Sequence, residues 1–141
     1  MTEPKQKSLE FDYMKARMLI DGELVDSENG ARYESINPCD GTVLGTVPEG
    51  SAADVDRAVE AADRAQQSWA ALPMRERGAY LRRLATALRE HADALLDIEV
   101  RDTGNTIGEM MLDVANGANQ LDYYAGLGFE IKGHTIPASP G

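Results

Sequence analysis

The chain is 141 residues long and holds a single cysteine, Cys39, two histidines, one tryptophan and few aromatic residues of any kind (6%). One cysteine excludes an internal disulfide and a cysteine-built zinc cluster, and with them any argument for an oxidising compartment. Basic residues are scarce too. Fourteen Lys and Arg against 24 Asp and Glu give a formal net charge of -10, which leaves no bulk charge to neutralise nucleic-acid phosphates or an anionic membrane. Arg82, Arg83 and Arg89 lie on one helical stretch and read as a solvated face. Long apolar runs are missing. The opening "MTEPKQKSLEFDYMKAR" has none that suits a signal peptide or a membrane span, and residues 1–17 are expected to form a flexible tail on a cytoplasmic protein.

Catalytic and nucleotide motifs are absent in the same way. There are 13 glycines but no Gly-Lys-Ser or Gly-Lys-Thr. The run Gly126-Leu127-Gly128-Phe129-Glu130-Ile131 starts like a dinucleotide fingerprint, but Ile131 stands where the third glycine belongs and a helical pattern precedes it. No Gly-x-Ser-x-Gly elbow occurs. His91 and His134 lack a shared helical spacing and a third ligand, so they read as surface or capping residues. Cys39 sits between Pro38 and Asp40, with no base at hand and a carboxylate that opposes thiolate formation. It reads as a turn residue, and the chain alone shows no catalytic constellation.

What is present is a clear division of periodicity. Met18-Leu19-Ile20 and Glu23-Leu24-Val25 flank Asp21-Gly22, a pair suited to a type I′ hairpin turn. A second hairpin is expected from Tyr33 to Val47 around Asn37-Pro38-Cys39-Asp40-Gly41. There Pro38 presets φ, Asn37 bonds back to the turn and Gly41 takes the left-handed conformation. After Pro48-Glu49-Gly50 the period changes to that of a helix. Ser51 and Asp54 form a capping box, and Val55, Ala58, Val59, Ala62, Ala65 and Trp69 fall on one stripe ending at Leu72-Pro73. A second helix follows with Tyr80, Leu81, Leu84, Ala87 and Leu88 as its expected buried face. His91-Ala92-Asp93 bends or divides it, the stripe restarts at Leu95, Leu96, Ile98 and Val100, and Gly104 is placed as a C-cap. Thr106 and Glu109 cap a last helix through Met110, Met111, Val114, Ala118, Leu121 and Tyr124 to about Ile131, before an extended, proline-bounded end over residues 133–141.

Taken in order, "INPCDGTVLGTVPEG", "DVDRAVEAADRAQQSWAALPMRERGAYLRRLATALREHADALLDIEVRDTGNTIGE" and "LDYYAGLGFEIKGHTIP" resemble the N-terminal segment of the NAD(P)-dependent aldehyde dehydrogenase superfamily. Asn37-Pro38 with Gly41, Trp69, Arg75, Arg83-Leu84, Asp102-Thr103-Gly104, and Tyr123-Tyr124-Ala125-Gly126 with Gly133 carry the resemblance. It implies an α/β family fold, represented here by a partial α+β segment: two N-terminal β-hairpins, three to four α-helices and a final extended strand. By it, residues 18–137 are an incomplete domain and 138–141 a truncated end.

The resemblance further implies oxidation of an aldehyde to a carboxylic acid with NAD or NADP as hydride acceptor. The cofactor segment, general base, oxyanion asparagine and nucleophilic cysteine all belong to a part of the family absent from this chain, and Cys39 matches a variable turn position. The segment is expected to be scaffold, inactive alone and without a cofactor of its own. Aligned on Tyr123-Tyr124-Ala125-Gly126, Leu112, Asn116 and Gln120 fall on the wall of the substrate tunnel. Asn116 then hints at a polar or small aldehyde, against the plain reading that Asn116 and Asn119 are exposed helix residues. Ser35, Ile36 and Asp102 match a monovalent-cation site built from backbone oxygens. A homo-oligomer is expected of the complete enzyme, with neither nucleic acid nor membrane as partner. The competing expectation is a non-catalytic helical interaction module derived from the same family.

Overall fold

The computed structural model describes residues 16–133. Two separate antiparallel hairpins come first. β1 (Met18–Ile20) pairs with β2 (Glu23–Val25), and β3 (Arg32–Ile36) pairs with β4 (Val43–Pro48). Asp21 (φ 54) and Gly22 (φ 80) both take positive φ, as a two-residue type I′ turn requires. In the second hairpin Ser35 faces Gly45 while Ile36 faces Val43, so the register shifts by one residue just before the turn. That turn is closed as its residue types demand. The Asn37 N–H donates to the Thr42 carbonyl at 2.9 Å, the Gly41 N–H to the Asn37 carbonyl at 2.8 Å, and the Cys39 N–H to Asn37 Oδ1 at 2.9 Å, with Gly41 at φ 73.

Four helices follow: α1 (Ala52–Ala71), α2 (Met74–Glu90), α3 (Ala92–Thr103) and α4 (Ile107–Leu127), the last running into a 3-10 turn, Gly128–Glu130. His91, at φ -108 and ψ 16, divides α2 from α3. Gly104 closes α3 at φ 75. The final helix thus stops four residues short of the expected Ile131, where Gly128 tightens the last turn. The extended segment expected at 133–141, apart from Gly133, and most of the 1–17 tail lie outside the described residues.

The core is built by small residues. α2 and α4 run antiparallel, with Gly78 and Ala85 buried on one and Met110, Ala118 and Ala125 on the other. A methyl group at Gly78 would stand 2.6 Å from the Ala125 carbonyl oxygen, so the two backbones touch here and only glycine fits. This close seating overturns part of the expected pattern. Tyr80 and Leu84 were expected to be buried but are about half exposed, at 49% and 50%, and Met111 and Tyr124 also face outward. On α1 the buried positions are Asp54 and Ala61, while Val55 and Val59 of the expected stripe are 58% and 62% exposed. The physical reason is that helices pack closest along the face with the least side-chain bulk, which leaves the larger apolar residues on the flanks.

Asp54 ties the hairpins to the helices. Its carboxylate, 2% exposed, accepts from the Ser51 N–H at 2.9 Å, the Ser51 hydroxyl at 2.9 Å, the Arg57 guanidinium at 2.6 Å and the Glu28 N–H at 3.2 Å. The Ser27 hydroxyl lies 3.0 Å away. Ser51 and Asp54 are therefore the expected capping box, extended by the loop after β2. The Ser51 N–H is the main cause that holds the Asp54 carboxyl below its ordinary value of 3.8; the Ser51 hydroxyl, Arg57 and the Glu28 N–H act with it and burial acts against it. Arg32 joins the two hairpins by donating to Asp26 Oδ1 at 2.7 Å and to the Thr46 carbonyl at 2.7 Å. Arg64 of α1 reaches Asp21 in the first turn at 3.0 Å.

Two predictions follow from this packing. Gly78→Ala adds helix propensity of about 1 kcal/mol but forces apart two backbones in contact, an overpacking cost of about 1–3 kcal/mol. It is expected to lower the melting temperature. Gly117→Ala, with nothing within 4 Å of the added methyl, is expected to raise it by about 4 °C. Thermal scans in which Gly78→Ala stabilises as much as Gly117→Ala would contradict the close seating. Because the folded Asp54 carboxyl sits below 3.8, its contribution is complete at neutral pH and drains as pH falls through about 4 and below. Asp54→Asn should be less stable than the parent at pH 7, with a smaller loss of melting temperature on acidification. Equal acid slopes for the two chains would refute the assignment.

Candidate functional site

α4 begins at Thr106, whose hydroxyl oxygen accepts the Glu109 N–H and so satisfies one of the free donors of the first turn. With Met110, Ala118 and Ala125 buried, residues four apart on the opposite side point outward. Leu112, Asn116 and Gln120 share that outer face, and all three are exposed. An open depression of about 380 Å³ lies along it, lined by Asn116, Asn119, Gln120, Tyr123 and Tyr124. The structure brings Asn116 and Gln120 together there, while Leu112, 63% exposed, lies on the same face one turn before the lined stretch.

Asn119, Tyr123 and Tyr124 are the lining residues that the sequence reading did not place on the wall. Their signal was available in the spacing: Asn119 and Tyr123 follow Asn116 by three and seven. The Tyr123 and Tyr124 rings meet edge to face at 5.4 Å. Arg89 of α2 donates to Asn119 Oδ1 at 3.0 Å and to Asp122 Oδ2 at 2.8 Å. A guanidinium only donates, so the Asn119 amide is fixed with its oxygen toward α2 and its NH2 group left as the other end. The surface can therefore supply amide donors and acceptors and two phenol rings. Its lining residues are three amides and two tyrosines, with no cysteine, serine, lysine, histidine or carboxylate among them.

The second region joins segments distant in sequence. The Ser35 hydroxyl donates to Asp102 Oδ1 across 67 positions of chain, so the end of β3 meets the last turn of α3. The turn after β3 seats on the same helix end: a methyl group at Gly104 would lie 2.7 Å from Pro38 Cγ and 3.8 Å from Cys39 Sγ. The candidate cation residues Ser35 and Asp102 are thus neighbours, and Ile36 is next to them in the chain, about half exposed. Their donors are oxygens, and a helix C-terminus carries partial negative charge, which suits a hard cation bound through oxygen. Among the described residues no three His, Cys, Asp or Glu side chains form a metal-binding group.

The other candidates stay apart. Cys39 is exposed and Asp40, beside it, is held below the ordinary carboxylate range by the Thr42 hydroxyl and then the Thr42 N–H. His91 is the exposed joint between α2 and α3, and His134 lies outside the described residues. The Gly126-Leu127-Gly128 run sits at the C-terminal end of α4, where carbonyls rather than N–H groups are unsatisfied. Phosphate is bound at the other kind of helix end, so the described residues of this run do not fit a dinucleotide cradle. No described helix is long and apolar enough to cross a membrane.

A family model of the aldehyde dehydrogenase family matches residues 24–141. Solved structures agree in fold over nearly all of the chain. A protein from Burkholderia cenocepacia assigned as an aldehyde dehydrogenase is 39% identical, with a TM-score of 0.84, and the match covers 91% of this chain and 26% of that one. A point mutant of betaine aldehyde dehydrogenase from Staphylococcus aureus, crystallised with NAD+, is 37% identical with a TM-score of 0.82, covering 89% and 26%. An NADP-dependent enzyme from E. coli is 31% identical with a TM-score of 0.87, covering 95% and 28%. The chain spans about a quarter of the length of these structures. With two hairpins and four helices matched in order at these identities, the chain belongs to the aldehyde dehydrogenase family.

Proposed function

We propose that this chain is the N-terminal scaffold and part of the substrate wall of an enzyme that oxidises an aldehyde to a carboxylic acid with NAD or NADP. A nicotinamide cofactor, when bound, accepts the hydride released from the aldehyde carbon. By the family resemblance its binding groups and the reacting cysteine belong to the part of the related enzymes that this chain does not cover. The related structures include one crystallised with NAD+ and one dependent on NADP, which supports either nicotinamide as the acceptor.

The contribution of the chain itself is on the outer face of α4. The observation that carries it is the depression lined by Asn116, Asn119 and Gln120, on the face where the family resemblance puts the tunnel. Three amides there favour an aldehyde with a polar group over a long alkyl chain, because an alkyl group would strip water from amides and return no hydrogen bond. Leu112 supplies the apolar portion of the wall. Ser35, Ile36 and Asp102 would hold a monovalent cation at the junction of β3 and α3, where its charge would fasten the hairpin to the helix end. The complete enzyme is a homo-oligomer in the cytoplasm that engages neither nucleic acid nor membrane. The reading as a separate interaction module is less well supported, because the whole span keeps the fold of the related enzymes at 31–39% identity.

The test is a chimera in which residues 24–133 replace the matching segment of the Burkholderia cenocepacia protein. It is expected to reduce nicotinamide in the presence of aldehydes, whereas the isolated 141-residue chain shows no turnover. Asn116→Leu in the chimera should shift kcat/KM away from hydroxylated and toward alkyl aldehydes by roughly tenfold, the loss of one hydrogen bond of about 1–1.5 kcal/mol. A folded chimera without aldehyde oxidation, or robust thiol-dependent turnover by the isolated chain, would overturn the proposal. Unchanged selectivity in Asn116→Leu would remove Asn116 from the wall.

A further inference from the structure

Arg89 stands in the last turn of α2, where the partial negative charge of a helix end favours a cation. A helical side chain leans toward the start of its own helix, and from α2 that direction runs toward the end of antiparallel α4, where Asn119 and Asp122 stand one turn apart. Both are reached through the same nitrogen: Nη2 donates to Asn119 Oδ1 at 3.0 Å and to Asp122 Oδ2 at 2.8 Å. The side chains of Arg89 and Asp122 are 46% and 42% exposed, and an ion pair that open adds little to stability. What it fixes is direction, because the Asp122 charge keeps the guanidinium beside the Asn119 oxygen.

Direction matters at Asn119 because this residue lines the depression on the outer face of α4, with Asn116, Gln120 and the two tyrosines. An amide carries an acceptor oxygen and a donor nitrogen, and either end can face a ligand when nothing holds it. Among the described residues, Asn119 is the lining amide whose oxygen is taken, by a group that only donates. The end it can offer a substrate is therefore the NH2. A phenol hydroxyl, or an amide free to turn, adapts to a donor and an acceptor alike. Asn119 does not adapt, so it sets the sign of the wall.

We infer that Arg89 is a positioning residue that holds Asn119 with its N–H donors toward the substrate, and that the aldehyde so selected carries an oxygen that accepts and cannot donate, a carbonyl or an ether, away from its reacting carbon. The inference rests on the proposed function for reading the depression as the substrate wall. Such an oxygen finds no partner on a wall that presents only acceptors, whereas a hydroxyl group would be served by either. A cationic group over the Tyr123 and Tyr124 rings is the rival occupant; it would meet the positive end of the Asn119 amide.

The chimera with the Burkholderia cenocepacia protein is assayed with methyl 4-oxobutanoate and hexanal, two uncharged aldehydes of equal chain length, of which only the first carries acceptor oxygens beyond the reacting group. Arg89→Met keeps the length of the side chain and removes its donors. It should lower the ratio of kcat/KM for the ester over hexanal about fivefold, the loss of one oriented hydrogen bond, through KM of the ester with its kcat little changed. Arg89→Lys, which still only donates, should keep most of the ratio. Asn119→Asp retains an acceptor for Arg89 but has no NH2, so the ratio should fall as far as in Arg89→Met, an outcome that a merely structural tie between α2 and α4 does not produce. An active chimera whose ratio is unmoved by Arg89→Met or by Asn119→Asp would overturn the inference alone, and so would a parent chimera that prefers trimethylammonioacetaldehyde to methyl 4-oxobutanoate. A folded chimera that oxidises no aldehyde counts against the proposed function instead, and the hold on the amide is then read in the 141-residue chain itself. There the side-chain carbonyl carbon resonance of Asn119 should move upfield in Arg89→Met and stay in place in Arg89→Lys; a resonance indifferent to Arg89→Met would overturn the positioning role without any measurement of turnover.

Discussion

The contact between Gly78 and the Ala125 carbonyl is the constraint from which the helical half of the molecule follows. Two backbones that meet at this distance fix the rotation of both helices about their own axes. Once Gly78 faces Ala125, with Ala85 and Ala118 buried as well, the outer face of α4 must hold Leu112, Asn116 and Gln120, and the flank of α2 must hold Tyr80 and Leu84. The outer face of α4 and the half-exposed flank of α2 are thus two results of one packing choice. Bulky apolar residues on the inner faces would have separated the helices and turned both surfaces elsewhere.

A different kind of interaction joins the hairpins to this helical layer. Little apolar area connects them; Ala61 is buried, while Val55 and Val59 face away. The junction depends on directional bonds instead. Asp54 gathers donors from the loop after β2 and from the start of α1, and Arg32 and Arg64 hold the hairpins in register with each other and with α1. The buried Asp54 carboxylate specifies one arrangement because a misplaced partner would leave a desolvated charge. The hairpin layer is accordingly well defined in geometry though poorly covered.

Local chemistry was legible in the sequence. The Asp21-Gly22 turn, the Asn37 to Gly41 turn, the Ser51 and Asp54 box, the break at His91 and the Gly104 cap each depend on residues within four positions, and each is present. Facing was not. Hydrophobic periodicity weights large residues, so Tyr80, Leu84, Val55 and Val59 were read as inward. The decisive residues, Gly78, Ala85, Ala118 and Ala125, contribute little apolar area and act by their lack of bulk. The site shows the same division. The spacing of Asn116 and Gln120 could be read from α4 alone, but the meeting of Ser35 with Asp102 spans 67 positions and came only from family resemblance. The bracket of Arg89 on Asn119 joins two helices and left no local sign.

The seat of the Asn37 to Gly41 turn on the end of α3 has one more consequence. Gly104 is restricted twice over, by its positive φ of 75 and by the Pro38 ring that fills the space where a side chain would begin. The two family motifs that looked independent in the sequence are therefore halves of a single joint. Cys39 rides on the same turn and stays exposed. A substitution at Gly104 would act on the second hairpin as much as on the helix, since any side chain there must displace the Pro38 ring.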